Sequence, residues 1–131
     1  TKLPGNIAAQ QNFPEELPKT WADEKQLPIV FKNLIRNARD AMPDGGSLHL
    51  SVRMDAPFVV VTVQDSGIGM PPEIAQRIAE PFFSTKARGM GLGMAITTAI
   101  LEKNQCQMRL ESEPGRGTTF DISIPIAGQN R

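Results

Sequence analysis

The spacing of apolar residues predicts an amphipathic helix in the first third of the chain. Apolar side chains recur at steps of three and four residues at Leu27, Val30, Leu34, Ala38 and Ala41. This is the period of one face of an α-helix. Asp23 is a candidate N-cap, Pro28 is tolerated in the first turn, and the turn-forming residues 43–46 should end the helix.

Alternating apolar and polar residues predict the strands. Leu48, Leu50 and Val52 alternate with polar residues, and the β-branched run Phe58–Val63 leads into Asp65. Strand character is also found in residues 7–13, as a short edge strand, and in residues 106–112 and 118–124, as a closing hairpin turned by residues 114–117. We therefore expect about five strands in one sheet.

Two further helices complete the predicted elements. One starts at Pro71 and Pro72 and reaches about Ala79, and the other opens at Gly89–Gly93 and reaches about Lys103. Strands and helices in this order predict an α/β fold. We expect a two-layer sandwich in which a mixed sheet carries the three helices on one face.

Length and composition restrict the partners more than they define the function. The 131 residues suffice for one domain with its own core, and we expect a single domain over residues 1–131. Fourteen basic and fourteen acidic side chains leave no net charge, which argues against a nucleic-acid partner or direct contact with an anionic membrane. No apolar run approaches the roughly 20 residues that span a bilayer. The single Cys106 indicates no internal disulfide, and because the chain begins with Thr1 we expect a fragment of a longer protein.

Two asparagines share one face of the first predicted helix. Asn33 and Asn37 lie four residues apart, and Asn is a mildly poor helix former, so their presence among apolar residues suggests a role. One amide oxygen could ligate Mg²⁺, a hard cation that accepts neutral oxygens. The alternative is that both amides are satisfied by backbone or water.

A carboxylate followed by glycines stands at the end of a predicted buried strand. Asp65 is costly to bury unless it meets a donor such as the exocyclic amine of adenine, whereas guanine presents an oxygen there. Gly67 would let the backbone approach a flat base, and Gly69 permits a turn conformation closed to other residues. By alternation Thr118 points to the inner face, where its hydroxyl would need the base or a water beside Asp65. The alternatives are an ordinary Asp-Gly turn and an ordinary strand threonine.

A second glycine-rich segment, Gly89–Gly93, precedes the third helix, where free N–H groups can bind phosphate. It lacks the preceding strand of a dinucleotide-binding fingerprint and the Lys-Ser/Thr ending of a phosphate loop. Lys86 and Arg88, just before it, could reach phosphates from a flap that carries two adjacent phenylalanines. The alternative is a solvated loop with its aromatic residues in the core.

In this order the segments resemble the sequence boxes of the GHKL superfamily, named for gyrase, heat-shock chaperones, histidine kinases and mismatch-repair MutL. The boxes are residues 33–41 (Asn box), 65–69 (first glycine box), 81–86 (Phe box), 89–93 (second glycine box) and 115–125 (closing strand). Each box alone is weakly specific, but together they cover nearly everything from Trp21 onward. The resemblance implies the Bergerat ATP-binding fold, with the nucleotide held between helices under a mobile lid.

The resemblance also implies roles for individual residues. Asn37 is expected to ligate Mg²⁺ and Asp65 to contact adenine. Further ATP contacts are expected from Asn33, Arg36, Gly67, Gly69, Lys86, Gly89, Gly91, Leu92, Gly93 and Thr118. Asp40 stands where many histidine kinases have Lys, so phosphate contacts are expected from Arg36, Arg39, Lys86 or Arg88. Met94 stands where the family more often has Leu.

One position favours the kinase branch of this superfamily. In the ATPase branches, a Glu four residues before the metal-binding Asn activates water as a general base. Here that residue is Asn33, whose amide is not a useful base near neutral pH. The resemblance therefore implies an ATP-dependent protein-histidine kinase, similar to nitrogen-regulation-type sensors with a short lid. The alternatives are a nucleotide-sensing interaction module without phosphotransfer and a GHKL ATPase.

The phosphoacceptor is expected outside this chain. His49 is the only histidine, and it lacks the acidic neighbour and downstream proline of a phosphoacceptor helix. The resemblance implies an acceptor histidine on a dimerising helical domain of the same protein, with a response regulator as the indirect partner. We expect the domain itself to be cytoplasmic and monomeric, whether or not its parent protein is membrane-anchored. No catalytic side chain is expected in it beyond the residues that position the nucleotide.

Overall fold

The structure is a computed structural model that describes residues 7–12, 25–78 and 90–126; the side chains of residues 7–12, 77, 78, 90–93 and 95 are not described. The elements in chain order are β1 (Ile7–Asn12), α1 (Leu27–Asp40), β2 (Gly46–Asp55), β3 (Phe58–Asp65), α2 (Pro72–Ile78), α3 (Met90–Lys103), β4 (Gln107–Glu113) and β5 (Gly117–Pro125). None of the described helices is long and apolar enough to cross a membrane.

The strands form one mixed sheet of the kind that the sequence predicts. Their order is β1-β2-β3-β5-β4. β1 is parallel to β2 at one edge, and all other neighbours are antiparallel. Because β5 inserts between β3 and β4, the end of β3 is flanked by the start of β5. This register pairs Asp65 with Leu48 on one side and with Thr118 on the other.

The core lies between one face of the sheet and the helices. The alternation predicted for β5 is confirmed, since Phe120, Ile122 and Ile124 are all buried. All three helices contribute to the same core, through Val30, Leu34 and Ala38 of α1, Ile74 of α2, and Met94 and Leu101 of α3. The prediction of a two-layer sandwich with its helices on one face is therefore confirmed.

The first helix begins later than its predicted N-cap. α1 starts at Leu27 after Gln26, which makes no side-chain capping hydrogen bond. A start after Asp23 would place Pro28 beyond the first turn, where its missing N–H loses a helical hydrogen bond and its ring clashes with a preceding carbonyl. With the observed start, Pro28 lies at the second helical position, where neither cost arises. Asp23 itself is outside the described residues.

Two adjacent residues of α1 provide a test of which helix face is buried. Val30 is fully buried, whereas Ile29 is 43% exposed. Val30→Ala removes two buried methyl groups and leaves a cavity, so we expect it to lower the free energy of unfolding by about 2 kcal/mol. Ile29→Ala, which changes helix propensity similarly, should cost less than about 1 kcal/mol. Urea denaturation of both variants measures the difference, and equal losses would contradict the described orientation of α1.

Candidate functional site

A row of polar side chains crosses the inner face of the sheet at the end of β3. Asp65, Thr118 and Ser112 occupy paired positions on β3, β5 and β4. Asp65 and Thr118 are only 6% and 5% exposed. Buried polar groups need hydrogen-bond partners, so the partners of this row determine what the site can bind.

The described residues occupy one of the two oxygens of the Asp65 carboxylate. Its Oδ1 accepts hydrogen bonds from the Gly67 N–H at 2.8 Å and from the Thr118 N–H at 3.2 Å. Burial raises the pKa of the Asp65 carboxyl, and the two backbone hydrogen bonds lower it by less. Among the described residues, none donates to Oδ2. The carboxylate is therefore held in a fixed orientation, and no described residue occupies its second oxygen.

The hydroxyl partner of Thr118 is a protein side chain. Thr118 Oγ1 lies 2.8 Å from Ser112 Oγ. The sequence had predicted the base or a water beside Asp65 as the partner, and this prediction missed Ser112. The signal was present, because alternation from Met108 and Leu110 places Ser112 on the inner face of β4, level with Asp65.

The loop after Asp65 is clamped between α1 and the β4–β5 turn. The Ile68 N–H donates to the Ala41 carbonyl at 2.9 Å, and the Ile68 carbonyl accepts from the Gly115 N–H at 2.7 Å. A Cβ on Gly67 would lie 2.4 Å from the Ala41 carbonyl oxygen. Gly69 has φ +70°, which agrees with the predicted turn conformation. Both glycines are thus required by the packing of the loop, and their predicted contact with a base stays a prediction.

The two asparagines of α1 face α3. Asn33 Nδ2 donates to Thr97 Oγ1 at 3.2 Å, and Asn37 Nδ2 lies 3.2 Å from Met94 Sδ as its acceptor. The shared face predicted from their spacing is therefore confirmed, and each amide nitrogen has a side-chain partner on α3. Among the described residues none donates to Asn37 Oδ1, and its predicted role as a ligand stays a prediction.

Residues 22–128 match the family described as "Histidine kinase-, DNA gyrase B-, and HSP90-like ATPase". The chain belongs to this family. The GHKL resemblance that the boxes indicated is thereby confirmed, and with it the α/β fold, which the similarity to solved structures also supports.

The relatives are sensor kinases. The chain is 46% identical over 103 residues to sporulation kinase A of Bacillus subtilis (strain 168), covering 79% of this chain and 17% of that kinase. It is 30% identical to the nucleotide-free catalytic domain of histidine kinase ThkA, covering 92% of this chain and 80% of that one, with a TM-score of 0.78. It is 28% identical to full-length ShkA in complex with AMPPNP, covering 95% of this chain and 27% of that one, again with a TM-score of 0.78. The chain thus spans about a sixth of the length of the curated kinase and most of the isolated catalytic domain.

The side chains described in this GHKL domain could bind a metal ion only together with ligands from outside the protein, such as water and phosphate oxygens. No group of three or more His, Cys, Asp or Glu side chains that could hold a metal ion occurs among residues 7–12, 25–78 and 90–126. A single neutral oxygen, such as Asn37 Oδ1, fits Mg²⁺, which usually keeps several waters and takes phosphate oxygens as ligands. Asn37 is therefore compatible with a magnesium ion that arrives with a nucleotide.

The second glycine box of the GHKL domain is described only in part. Gly91, Leu92 and Gly93 lie in the first turn of α3. The first four N–H groups of a helix have no partner within it, so this turn presents donors. Lys86 and Gly89, together with Arg88 and the Phe box, lie outside the described residues.

Two arginines predicted near the phosphates are at the surface of α1. Arg36 is exposed. Arg39 Nη2 lies 3.3 Å from Asp40 Oδ1 in an exposed ion pair. Exposed ion pairs contribute at most about 1 kcal/mol to stability, so Arg39 can exchange Asp40 for another anionic partner at little cost. The phosphate contacts of both arginines stay predictions.

Proposed function

We propose that this domain binds Mg-ATP and transfers the γ-phosphate to a histidine on a separate phosphoacceptor domain of the same protein. In this proposal it is the catalytic part of a protein-histidine kinase in two-component signalling, and a response regulator receives the phosphate afterwards. The observation that carries the proposal is Asp65, a buried carboxylate held by two backbone N–H groups with its Oδ2 unpaired among the described residues.

Asp65 supports recognition of adenine. Its Oδ2 is an acceptor, and the exocyclic amine of adenine is a donor, so the two can form a charge-assisted hydrogen bond. Guanine has an oxygen at the same position, which would meet Oδ2 as a second acceptor. A site that leaves a buried polar group unpaired discriminates strongly against the wrong ligand. ATP is therefore preferred to GTP.

The start of α3 supports binding of the phosphates. Gly91 and Gly93 in its first turn let phosphate oxygens approach the free N–H groups, and the helix dipole favours negative charge at this end. Asn37 would hold Mg²⁺, which when bound neutralises charge on the phosphate oxygens. The similar kinase ShkA was solved at full length in complex with AMPPNP, which supports a nucleotide as the ligand of this domain.

Phosphate transfer in this proposal depends on positioning, because the inner face lacks an acceptor histidine. His49 pairs with Gln64 one residue away from the Leu48–Asp65 pair, so it points to the opposite face of the sheet. A nucleotide held beside Asp65 therefore cannot reach it. Asn33 donates its amide to Thr97 and supplies no base that would activate water. Both features support transfer to another domain over hydrolysis.

Calorimetric titration of the purified domain with ATP and with GTP, each with and without Mg²⁺, tests the nucleotide half of the proposal. We expect ATP to bind more tightly with Mg²⁺ than without it, and GTP to bind at least about 10-fold more weakly than ATP. Equal affinity for ATP and GTP would contradict the role of Asp65.

Addition of a domain that carries the acceptor histidine tests the transfer half. Incubation with γ-labelled ATP should label the acceptor, and the label should be absent when the histidine is replaced. Binding without labelling would favour the alternative of a nucleotide-sensing interaction module. Release of inorganic phosphate at a rate that does not depend on the acceptor would favour the GHKL ATPase.

A further inference from the structure

Ser112 lies on the edge strand β4, at one end of the polar row, and makes three hydrogen bonds there. Its Oγ accepts from the Met70 N–H at 2.8 Å and donates to the Gly117 carbonyl at 3.0 Å. The third contact is with Thr118 Oγ1 at 2.8 Å, in which either oxygen could carry the hydrogen.

The number of hydrogens decides the direction of the third bond. The Ser112 hydroxyl has one hydrogen and can accept two hydrogen bonds. The Met70 N–H must donate and the Gly117 carbonyl must accept, so the single Ser112 hydrogen is used for the carbonyl. The Ser112–Thr118 bond can then form only if Thr118 donates. With this assignment all three hydrogen bonds of Ser112 are made, whereas the opposite direction leaves the Gly117 carbonyl without this donor.

Thr118 is consequently an acceptor toward any ligand. Its hydrogen is committed to Ser112, and only the lone pairs of Oγ1 remain. Asp65 occupies the paired position on β3, and side chains at such positions have Cβ atoms about 4.5–5.5 Å apart. Asp65 Oδ2 and Thr118 Oγ1 therefore form a pair of neighbouring acceptors. A primary aromatic amine, with two hydrogens on one nitrogen, complements this pair either directly or through one water.

We propose that Ser112 is a positioning residue that fixes Thr118 as an acceptor and thereby adds to the selection of a 6-amino purine over a 6-oxo purine. The proposal rests on the proposed function, since it assumes that a nucleotide base lies beside Asp65. Without Ser112 the Thr118 hydroxyl is released to rotate and donate to the oxygen of a 6-oxo purine. Ser112 thus acts through Thr118 and has no contact with the base of its own.

Competitive titration with ATP and inosine triphosphate tests this role in Ser112→Ala and Ser112→Thr. Inosine triphosphate differs from ATP at the 6-position and at the protonation of the adjacent ring nitrogen, so the ratio of the two affinities reports on this edge of the base. We expect Ser112→Ala to reduce the preference for ATP by about 10-fold, the equivalent of one hydrogen bond. Ser112→Thr keeps the hydroxyl and should restore the preference.

A merely structural role of Ser112 predicts a different result. Loss of the hydrogen bond from the Met70 N–H would loosen the glycine loop and lower the affinities for both nucleotides by the same factor. An unchanged ratio in folded Ser112→Ala would therefore overturn the proposal. If Ser112→Ala does not fold, Thr118→Val removes the acceptor with little change of shape and should also lower the ratio, and an unchanged ratio there would overturn the proposal as well. Failure of the unmodified domain to bind either nucleotide would instead identify the proposed function as the error.

Discussion

Asp65→Asn is expected to lower the affinity of the domain for ATP by about 10–100-fold. The amide retains an oxygen that can accept from the Gly67 and Thr118 N–H groups, so its NH₂ group takes the place of Oδ2. A donor then meets the donor amine of adenine. Hydrogen bonds to a charged group contribute about 1.5–3 kcal/mol, which corresponds to the expected range of affinity. Calorimetric titration with Mg-ATP measures the loss.

The same substitution should leave the domain as stable as before, or make it more stable. Because burial raises the pKa of Asp65 above its ordinary value of 3.8, the native state binds more protons than the unfolded state between the two pKa values. The stabilising contribution of the protonated carboxyl is thus present below pH 3.8 and is lost as pH rises through the folded pKa. Thermal melts at about pH 4 and about pH 7 should show that the melting temperature of the variant rises relative to that of the unmodified domain as pH increases.

Asp121→Asn is the matched control for this substitution. Asp121 lies on the opposite face of the same sheet, where its Oδ1 accepts from Thr62 Oγ1 at 2.6 Å. The control makes the same chemical change away from the site, so its affinity for ATP should be unchanged. Unaltered ATP affinity in Asp65→Asn would show that the buried carboxylate does not contact the base. A large loss of stability in Asp65→Asn would show that the charge of the Asp65 carboxylate is needed for folding.

The sequence predicted those features that depend on periodicity. The three-and-four spacing that includes Val30, Leu34 and Ala38 identified the buried face of α1, and alternation through Phe120 identified the buried face of β5. Both patterns exist because burial of apolar surface drives folding, and they are visible in one dimension. The end of β3 at Asp65 followed from the same pattern and from the glycines after it.

The details that the sequence did not predict depend on partners far apart in the chain. Asp23 is a good N-cap by residue type, but the position of Pro28 decides where the helix begins. Ser112 has no unusual neighbours in sequence, and its role follows only from the pairing of β4 with β5. The direction of the Ser112 hydroxyl hydrogen depends on three partners, the Met70 N–H, the Gly117 carbonyl and the Thr118 hydroxyl. Residue types alone do not show that these groups meet. Prediction from individual residue types therefore failed where a feature depends on several partners that are distant in sequence.

The glycines of the first box illustrate the same limit and lead to the second large effect. Gly69→Ala is expected to lower the free energy of unfolding by about 2–5 kcal/mol. A Cβ on Gly69 would lie 1.9 Å from the Glu113 carbonyl oxygen. Pairing of β4 with β5 holds this carbonyl, which also accepts from the Arg116 N–H at 3.0 Å, so it cannot move aside cheaply. The left-handed backbone at φ +70° adds about 1–2 kcal/mol for a residue with a side chain, and overpacking adds typically 1–3 kcal/mol.

Gly115→Ala separates the two contributions. Gly115 has φ +79°, close to that of Gly69, but a Cβ there would meet nothing within 4 Å. The control therefore carries the backbone strain without the clash and should cost only about 1–2 kcal/mol in urea denaturation. Equal losses in both variants would show that the Glu113 carbonyl does not exclude a side chain at Gly69. If the losses differ as expected, Gly69→Ala distorts the loop, and any weaker ATP binding by this variant is explained by that distortion. Contact with the base is then tested by a variant that leaves the loop intact, such as Asp65→Asn.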